Sequence, residues 1–379
     1  MLNSWRRSSS WLVIVLLALS ALVWTGCTSN YDTPVDPQTS QQAVTLGKDN
    51  PQIQAVMAVQ DRHTPNLMAV AGVVGTATGL TADGRPAILV FTKTDIMAPA
   101  LAKGRVSPIP ESIEGVPVVV EVTGEFRAMK SGGGGVSHTA KQTPPIQLGT
   151  SGGWRYDLAN GYCCGGTLGS LIQKAGTQYI LSNYHVLYAD IVSGGNNRTA
   201  QPGDPVIQPG LIDVNCNAAN AQDVATLVNN GGSLPSANID AGIAAVIPGM
   251  VRTDGAILEI GTLSANTVAA FINQAVKKSG RTTGLTRSTV SGLNATVSVA
   301  YDNECAGGAA FTKTFTGQIV IKNRRSAFLN SGDSGSLMVE DVTTNPRAVG
   351  LLYAGSSTSA IANPINDVLS HYGATMVGN

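Results

Sequence analysis

From about Ile146 to the C-terminus the chain is a succession of short apolar runs separated by glycine-rich turns: GTLGSLI, TQYILSN, PVIQP, IDAGIAAVI, STVSGLNATVSVAY, FTGQIVI, SGSLMVE and RAVGLLYAG. Strands this short and this closely spaced must pair with one another, which points to an all-β barrel or sandwich. Composition agrees, because 13% charged residues and 43 glycines argue against long charged helices. Helical pattern is confined to Ser264 to Gln274 and to a piece near Ile365 to His371.

The N-terminal part reads differently. Arg6 and Arg7 precede an apolar run from Trp11 to Trp24, too short for a bilayer span of ~20 residues and matching a secretory signal peptide. The following Thr-Gly-Cys, with Gly26 before Cys27, resembles a bacterial lipoprotein processing site, so 1–27 reads as signal and Cys27 as a lipidation site. Export to the cell envelope or secretion follows from either kind of processing. Residues 28–48 are polar and read as a tether. Residues 49–129 read as a small α+β module: Asn50-Pro51 opens a helix carrying Ile53, Val56 and Val59, and LMAVAGVVGTATGLT, PAILVFTKT and GVPVVVEVTG are strands. SGGGGVSHTAKQTPP, within 130–145, reads as a flexible linker, leaving 146–379 as the last domain.

Charge excludes some partners. The 24 basic and 24 acidic side chains cancel, so no field favours nucleic acid, and a membrane is contacted only through lipid at Cys27. Nothing in the residues calls for a metal or cofactor. Cys163, Cys164, Cys216 and Cys305 in an oxidising compartment allow three pairings, from which one or two disulfides are expected; free buried thiols are the alternative.

The stretch NSGDSGSLMV, 330–339, carries the chemistry. It is good turn sequence, and it also places Ser334 where a nucleophile could stand. A G-x-S-x-G elbow would need glycine at Ser336, which disfavours that chemistry. A serine hydroxyl is a poor nucleophile until a histidine and an orienting group activate it. Of the four histidines, His63, His138 and His371 read as incidental, whereas His185 follows the strand TQYILSN. Asp190, Asp204, Asp213, Asp223, Asp240, Asp254 and Asp302 are acid candidates by position, and Asp240 stands out inside the apolar NIDAGIAAV. A carboxylate there is costly unless bonded, and a histidine N–H would bond it. A structural histidine and a strand-end aspartate are the plain alternatives.

YILSNYHVL, NIDAGIAAV and GDSGS occur in the order found in trypsin-like serine proteases of the chymotrypsin fold, and GDPVIQPG and KKSGRTTGLT resemble bacterial members. The resemblance covers about Ile146 to the C-terminus. It implies a mainly β protein, two six-stranded antiparallel barrels preceded by the small α+β module, and a serine endopeptidase acting on peptides or proteins. It also implies a triad of Ser334, His185 and Asp240, with an oxyanion hole formed by the Gly332 and Ser334 N–H groups. Asp333 would point inward and meet Arg281. Tyr353-Ala354-Gly355 falls at the edge that pairs with a substrate strand. Phe328, six residues before the serine, falls at the pocket base and suggests a small or medium apolar side chain before the scissile bond. A catalytically silent protease-fold protein that binds peptides is the alternative. The 49–129 module could serve as a partner-binding unit, or as an inhibitory or folding pro-region.

Overall fold

Period-two burial organises most of the molecule. In the long strand Gly284–Tyr301 the side chains of Leu293, Ala295, Val297, Val299 and Tyr301 are buried, while those between them are half-exposed. This is the alternation of a strand with one face on a core. The structure, a computed structural model, describes residues 45–98, 108–128, 136–159, 162–188, 200–229, 237–301 and 311–379. The expected signal peptide, Cys27, nearly all of the tether, Asp190, Asp302 and Cys305 lie outside these residues.

The chain is mainly β, as expected, and its strands form two large sheets. The first has eight strands, with Ser170–Lys174, Thr177–Ser182, Gly242–Val246, Gln222–Leu227, Pro205–Gln208 and Thr150–Trp154 paired in that order between two short end strands. In the second, Ala275–Gly280, Leu337–Glu340, Ala348–Gly355, Ser359–Pro364, Phe311–Lys322 and Gly284–Tyr301 pair in succession, and the last closes onto the first. That ring is the six-stranded barrel expected of this half. One core cluster is built around Trp154, Leu181, Ile180 and Ile243, and another around Val290, Ile321, Phe328 and Leu352.

The N-terminal module has the expected helix and strands but does not stand apart. Asn50 caps the helix Pro51–Met68 by accepting from the N–H groups of Gln52 and Ile53. Strand Val73–Leu80 pairs antiparallel with Gly284–Tyr301, so the module's strands extend the second sheet. Buried Gln60 ties helix to sheet: its amide donates to Thr76 Oγ1 and Asn294 O, and its carbonyl accepts from Thr78 Oγ1.

Two further expectations change. Ser264 to Gln274 is not helical; its N–H groups pair sideways, Val268 with Ala348 O and Ile272 with Leu46 O, each at 3.0 Å. The described end of the linker is docked rather than loose. His138, read as incidental, is buried on the short helix Val136–Thr139, with Nδ1 3.0 Å from Gly149 O and Nε2 2.7 Å from Glu259 Oε2. One expected disulfide is present, Cys163–Cys216. Among the described residues no helix is long and apolar enough to cross a membrane.

Gln60→Ala should lower the unfolding free energy by about 1–3 kcal/mol, because it leaves Thr78 Oγ1 and Asn294 O without their side-chain partner while Thr76 Oγ1 keeps Thr64. Urea denaturation checks this, and a single shifted transition is expected if module and sheet unfold together.

Candidate active site

The strand Thr177–Ser182 ends at Asn183, whose extended backbone starts the four-residue helix Tyr184–Leu187. That turn aims the His185 ring at Asp240, which stands just before strand Gly242–Val246. His185 Nδ1 lies 2.5 Å from Asp240 Oδ2. Asp240 is fully buried and His185 3% exposed. The aspartate satisfies the cost of burial locally: Oδ1 accepts from the N–H groups of Tyr184 (2.8 Å) and His185 (3.3 Å), and Oδ2 also accepts from the Tyr301 hydroxyl at 2.9 Å. These donors fill a carboxylate's acceptor capacity. Its main chain is held as well, since Asn183 Nδ2 and Asn363 Nδ2 donate to Asp240 O and Asp240 N donates to Asn363 Oδ1. With Nδ1 donating to Asp240, Nε2 of the neutral ring is left as an acceptor.

Ser334 comes from the second sheet, in the turn before strand Leu337–Glu340. Gly332 (φ +95°) and Gly335 (φ +92°) flank it, and a Cβ on Gly335 would lie 2.2 Å from Thr167 O. The glycines therefore serve both left-handed backbone and close approach between the two sheets. Ser334 O accepts from Thr167 N (2.8 Å), and Gly332 O accepts from Thr167 Oγ1 (3.0 Å). Among the described residues neither the Gly332 N–H nor the Ser334 N–H has a protein acceptor.

Asp333 is fully buried, and its cation is Lys278 rather than Arg281. Lys278 Nζ lies 3.4 Å from Asp333 Oδ2, and both side chains are fully buried. Asp333 also accepts from the N–H groups of Thr282 (2.9 Å), Thr283 (3.1 Å) and Asn330 (3.0 Å) and from Thr283 Oγ1 (2.7 Å). Burial pushes the Lys278 ammonium below its ordinary range, and Asp333 pulls in the opposite direction. Arg281 lies past the strand end at Gly280, where the chain has turned toward the first sheet. Its guanidinium forms a bidentate pair with Asp213 at 2.8 and 2.5 Å. Lys278 was the residue missed; it sat in the KKSGRTTG segment with nothing local to say which cation faces inward.

Ser334 and His185 do not yet share a hydrogen bond. Ser334 Oγ donates to Tyr353 O at 3.2 Å, and the buried His185 Nε2 has no partner. Tyr353, Ala354 and Gly355 end the strand Ala348–Gly355, and their edge is already covered by the chain itself. Strand Phe126–Ala128 pairs antiparallel there, Ala128 opposite Ala354 and Arg127 opposite Gly355, while its other side runs parallel to Val299 and Ala300. Ser334 is fully buried in this arrangement. Phe328 is 2% exposed and packs in the core with Ile321 and Leu352. It also lines, with Arg287, Lys322 and Arg324, a groove of about 560 Å³.

A family model described as the Nal1 C-terminal domain matches residues 219–363, a span that includes Asp240 and Ser334 but begins after His185. Streptogrisin-A of Streptomyces griseus is 34% identical over 113 residues, 28% of this chain and 32% of that protein, so the similarity spans about a third of the curated relative. Of solved structures, Thermobifida fusca Protease A superposes at a TM-score of 0.41 and 19% identity, covering 62% of this chain and 99% of that one. A glutamic acid specific serine protease gives 0.39 and 20%, covering 61% and 100%. Superpositions at these scores carry no argument about the site.

Lys278→Ala should cost about 3–5 kcal/mol, the penalty for leaving a buried charge without its partner. Arg281→Ala should leave the Asp333 cluster intact. Chemical denaturation of both variants checks the assignment of the inward cation.

Proposed function

We propose that the chain is an exported serine endopeptidase of the trypsin-like type, with Ser334 as nucleophile, His185 as general base and acid, and Asp240 as the group that orients the imidazole. The observation that carries this reading is the fully buried Asp240 carboxylate, 2.5 Å from His185 Nδ1, set between two sheets of which the second supplies Ser334. Similarity to Streptogrisin-A supports it over 113 residues.

In the first step Ser334 Oγ bonds to the carbonyl carbon of a peptide as its proton passes to His185 Nε2. The carbonyl oxygen becomes an oxyanion and takes the N–H groups of Gly332 and Ser334, which no protein acceptor occupies. The C–N bond then breaks, and the leaving amine receives the proton from Nε2. Water attacks the resulting ester with His185 again as base, releasing the acid and restoring Ser334. Asp333, held by Lys278 and the Thr282–Thr283 turn, fixes the donors without touching substrate.

Strand Phe126–Ala128 occupies the edge where a substrate strand would add, and Ser334 Oγ is turned to Tyr353 O. The described state is therefore a closed one. Opening it requires that strand to leave and the serine hydroxyl to rotate toward His185 Nε2, which supports an inhibitory role for the module over a purely partner-binding one. The Cys163–Cys216 disulfide supports an oxidising compartment. Anchoring through lipid at Cys27 belongs to the same reading, and the mass of the mature N-terminus tests it.

A fluorophosphonate probe tests the chemistry. One adduct on Ser334 is expected, absent in Ser334→Ala, which lacks the hydroxyl, and lost in His185→Ala, with peptide cleavage reduced by about six orders of magnitude in either variant. Labelling that survives in His185→Ala would rule the triad out. Phe126→Ala, which empties a fully buried site in the covering strand, should cost local stability of about 3–5 kcal/mol and yet accelerate labelling. Slower labelling in that variant would mean the strand supports the site rather than covering it.

A further inference from the structure

Asp240 draws its donors from two different sheets. The Tyr184 and His185 N–H groups and the His185 ring belong to the short helix that follows the first sheet's strand Thr177–Ser182. The fourth donor is the hydroxyl of Tyr301, at the last position of the second sheet's strand Gly284–Tyr301, 2.9 Å from Asp240 Oδ2. This is the same oxygen that receives His185 Nδ1. Tyr301 is 2% exposed, its ring stacks on Phe311 (centroids 4.9 Å, planes 4° apart), and it meets the His185 ring edge-on at 5.9 Å. The side chain is thus held from three directions, with its one polar atom on the carboxylate.

We infer that Tyr301 is a positioning residue for the proposed reaction, holding the Asp240–His185 pair of one sheet in register with Ser334 of the other through its hydrogen bond to Asp240 Oδ2. The inference rests on the serine-protease reading. Two independent features give it content beyond packing. First, Oδ2 carries both the imidazole and the phenol, so the phenol's donation draws negative charge away from the oxygen that faces Nδ1. Loss of that donation concentrates charge on Oδ2 and favours the protonated imidazole. Second, the nearby phenol of Tyr353 does not do this job, since it is buried and among the described residues has no hydrogen-bond partner. Among the described residues the titratable side chains around the Asp240–His185 pair are Tyr301, Tyr353, Tyr184, Tyr188 and Tyr372, of which Tyr184 stacks on Tyr188 and Tyr372 donates to Ala241 O; from the neighbouring strand Phe311–Lys322, Lys313 places its ammonium 5.4 Å from the Phe315 ring centroid. Burial, followed by Asp240, raises the Tyr301 phenol well above its ordinary range, so it stays a donor across the pH range of the measurement.

The test is the second-order rate of fluorophosphonate labelling of the full chain as a function of pH, for the native chain and Tyr301→Phe. The variant keeps the ring and loses the donor. Labelling at the plateau should fall about tenfold, the scale of one hydrogen bond to a charged group, and the acid limb should move to higher pH by roughly half a unit to one unit. A merely structural tyrosine would lower the rate and the urea midpoint but leave the acid limb in place, and that result would overturn the inference. If Tyr301→Phe does not fold, a fluorinated tyrosine at 301, a stronger donor of nearly the same shape, decides. The acid limb should then move to lower pH, and an unmoved limb overturns the inference. Absence of labelling at every pH both in the native chain and in Phe126→Ala, which loosens the covering strand, would instead sink the serine-protease reading, and this inference with it.

Discussion

A carboxylate with no access to water is the constraint around which this molecule is arranged. Asp240 is fully buried, and an unpaired charge there would cost several kcal/mol. The fold answers with donors from the helix after strand Thr177–Ser182 and from the far end of strand Gly284–Tyr301. Two asparagines, Asn183 and Asn363, hold its main chain from the two sheets in the same way. Pairing the charge therefore fixes the histidine and joins the sheets at one point. Ser334 stands in the second sheet, its carbonyl bonded by Thr167 N of the first.

A second buried carboxylate repeats the logic on the serine's side. Asp333 gathers the N–H groups of Asn330, Thr282 and Thr283 and the Lys278 ammonium, which locks the turn bearing Ser334. Both acids are held the same way, each buried and surrounded by donors. Beside this frame lies strand Phe126–Ala128, paired on both of its edges. It is three residues long and adds to the Ala354–Gly355 edge as any extended peptide could, by main-chain pairing.

Several features of this arrangement were legible in the residues. The alternation in STVSGLNATVSVAY marks an inward face ending at Tyr301, although parity alone could not say that its hydroxyl would meet an acid. Asn50-Pro51 started its helix because the cap and the proline act within a few residues. The Ser264 to Gln274 stretch went the other way. Its apolar spacing suits a helix, but carbonyls at Leu46 and Ala348 take its N–H groups, and those partners are distant in sequence. The inward cation was misread for a similar reason. Lys278 and Arg281 are three residues apart, and only the end of the strand at Gly280 decides that one stays beside Asp333 while the other reaches Asp213.

The sequence alone determined what depends on short-range chemistry: strands of period two, turns that need glycine at 332 and 335, a capped helix, and the order of a histidine, an acid and a serine in segments of recognisable type. The tertiary structure decided what depends on meetings across the chain. Tyr301 reaches Asp240 over 61 positions, Arg281 reaches Asp213 over 68, and Asn363 reaches Asp240 over 123. It also made the 49–129 module an extension of the second sheet and placed one of its strands on the edge beside Ser334. The physical reason is that a buried charge or an open sheet edge is satisfied by whichever group the packed chain delivers, and local pattern does not encode that delivery.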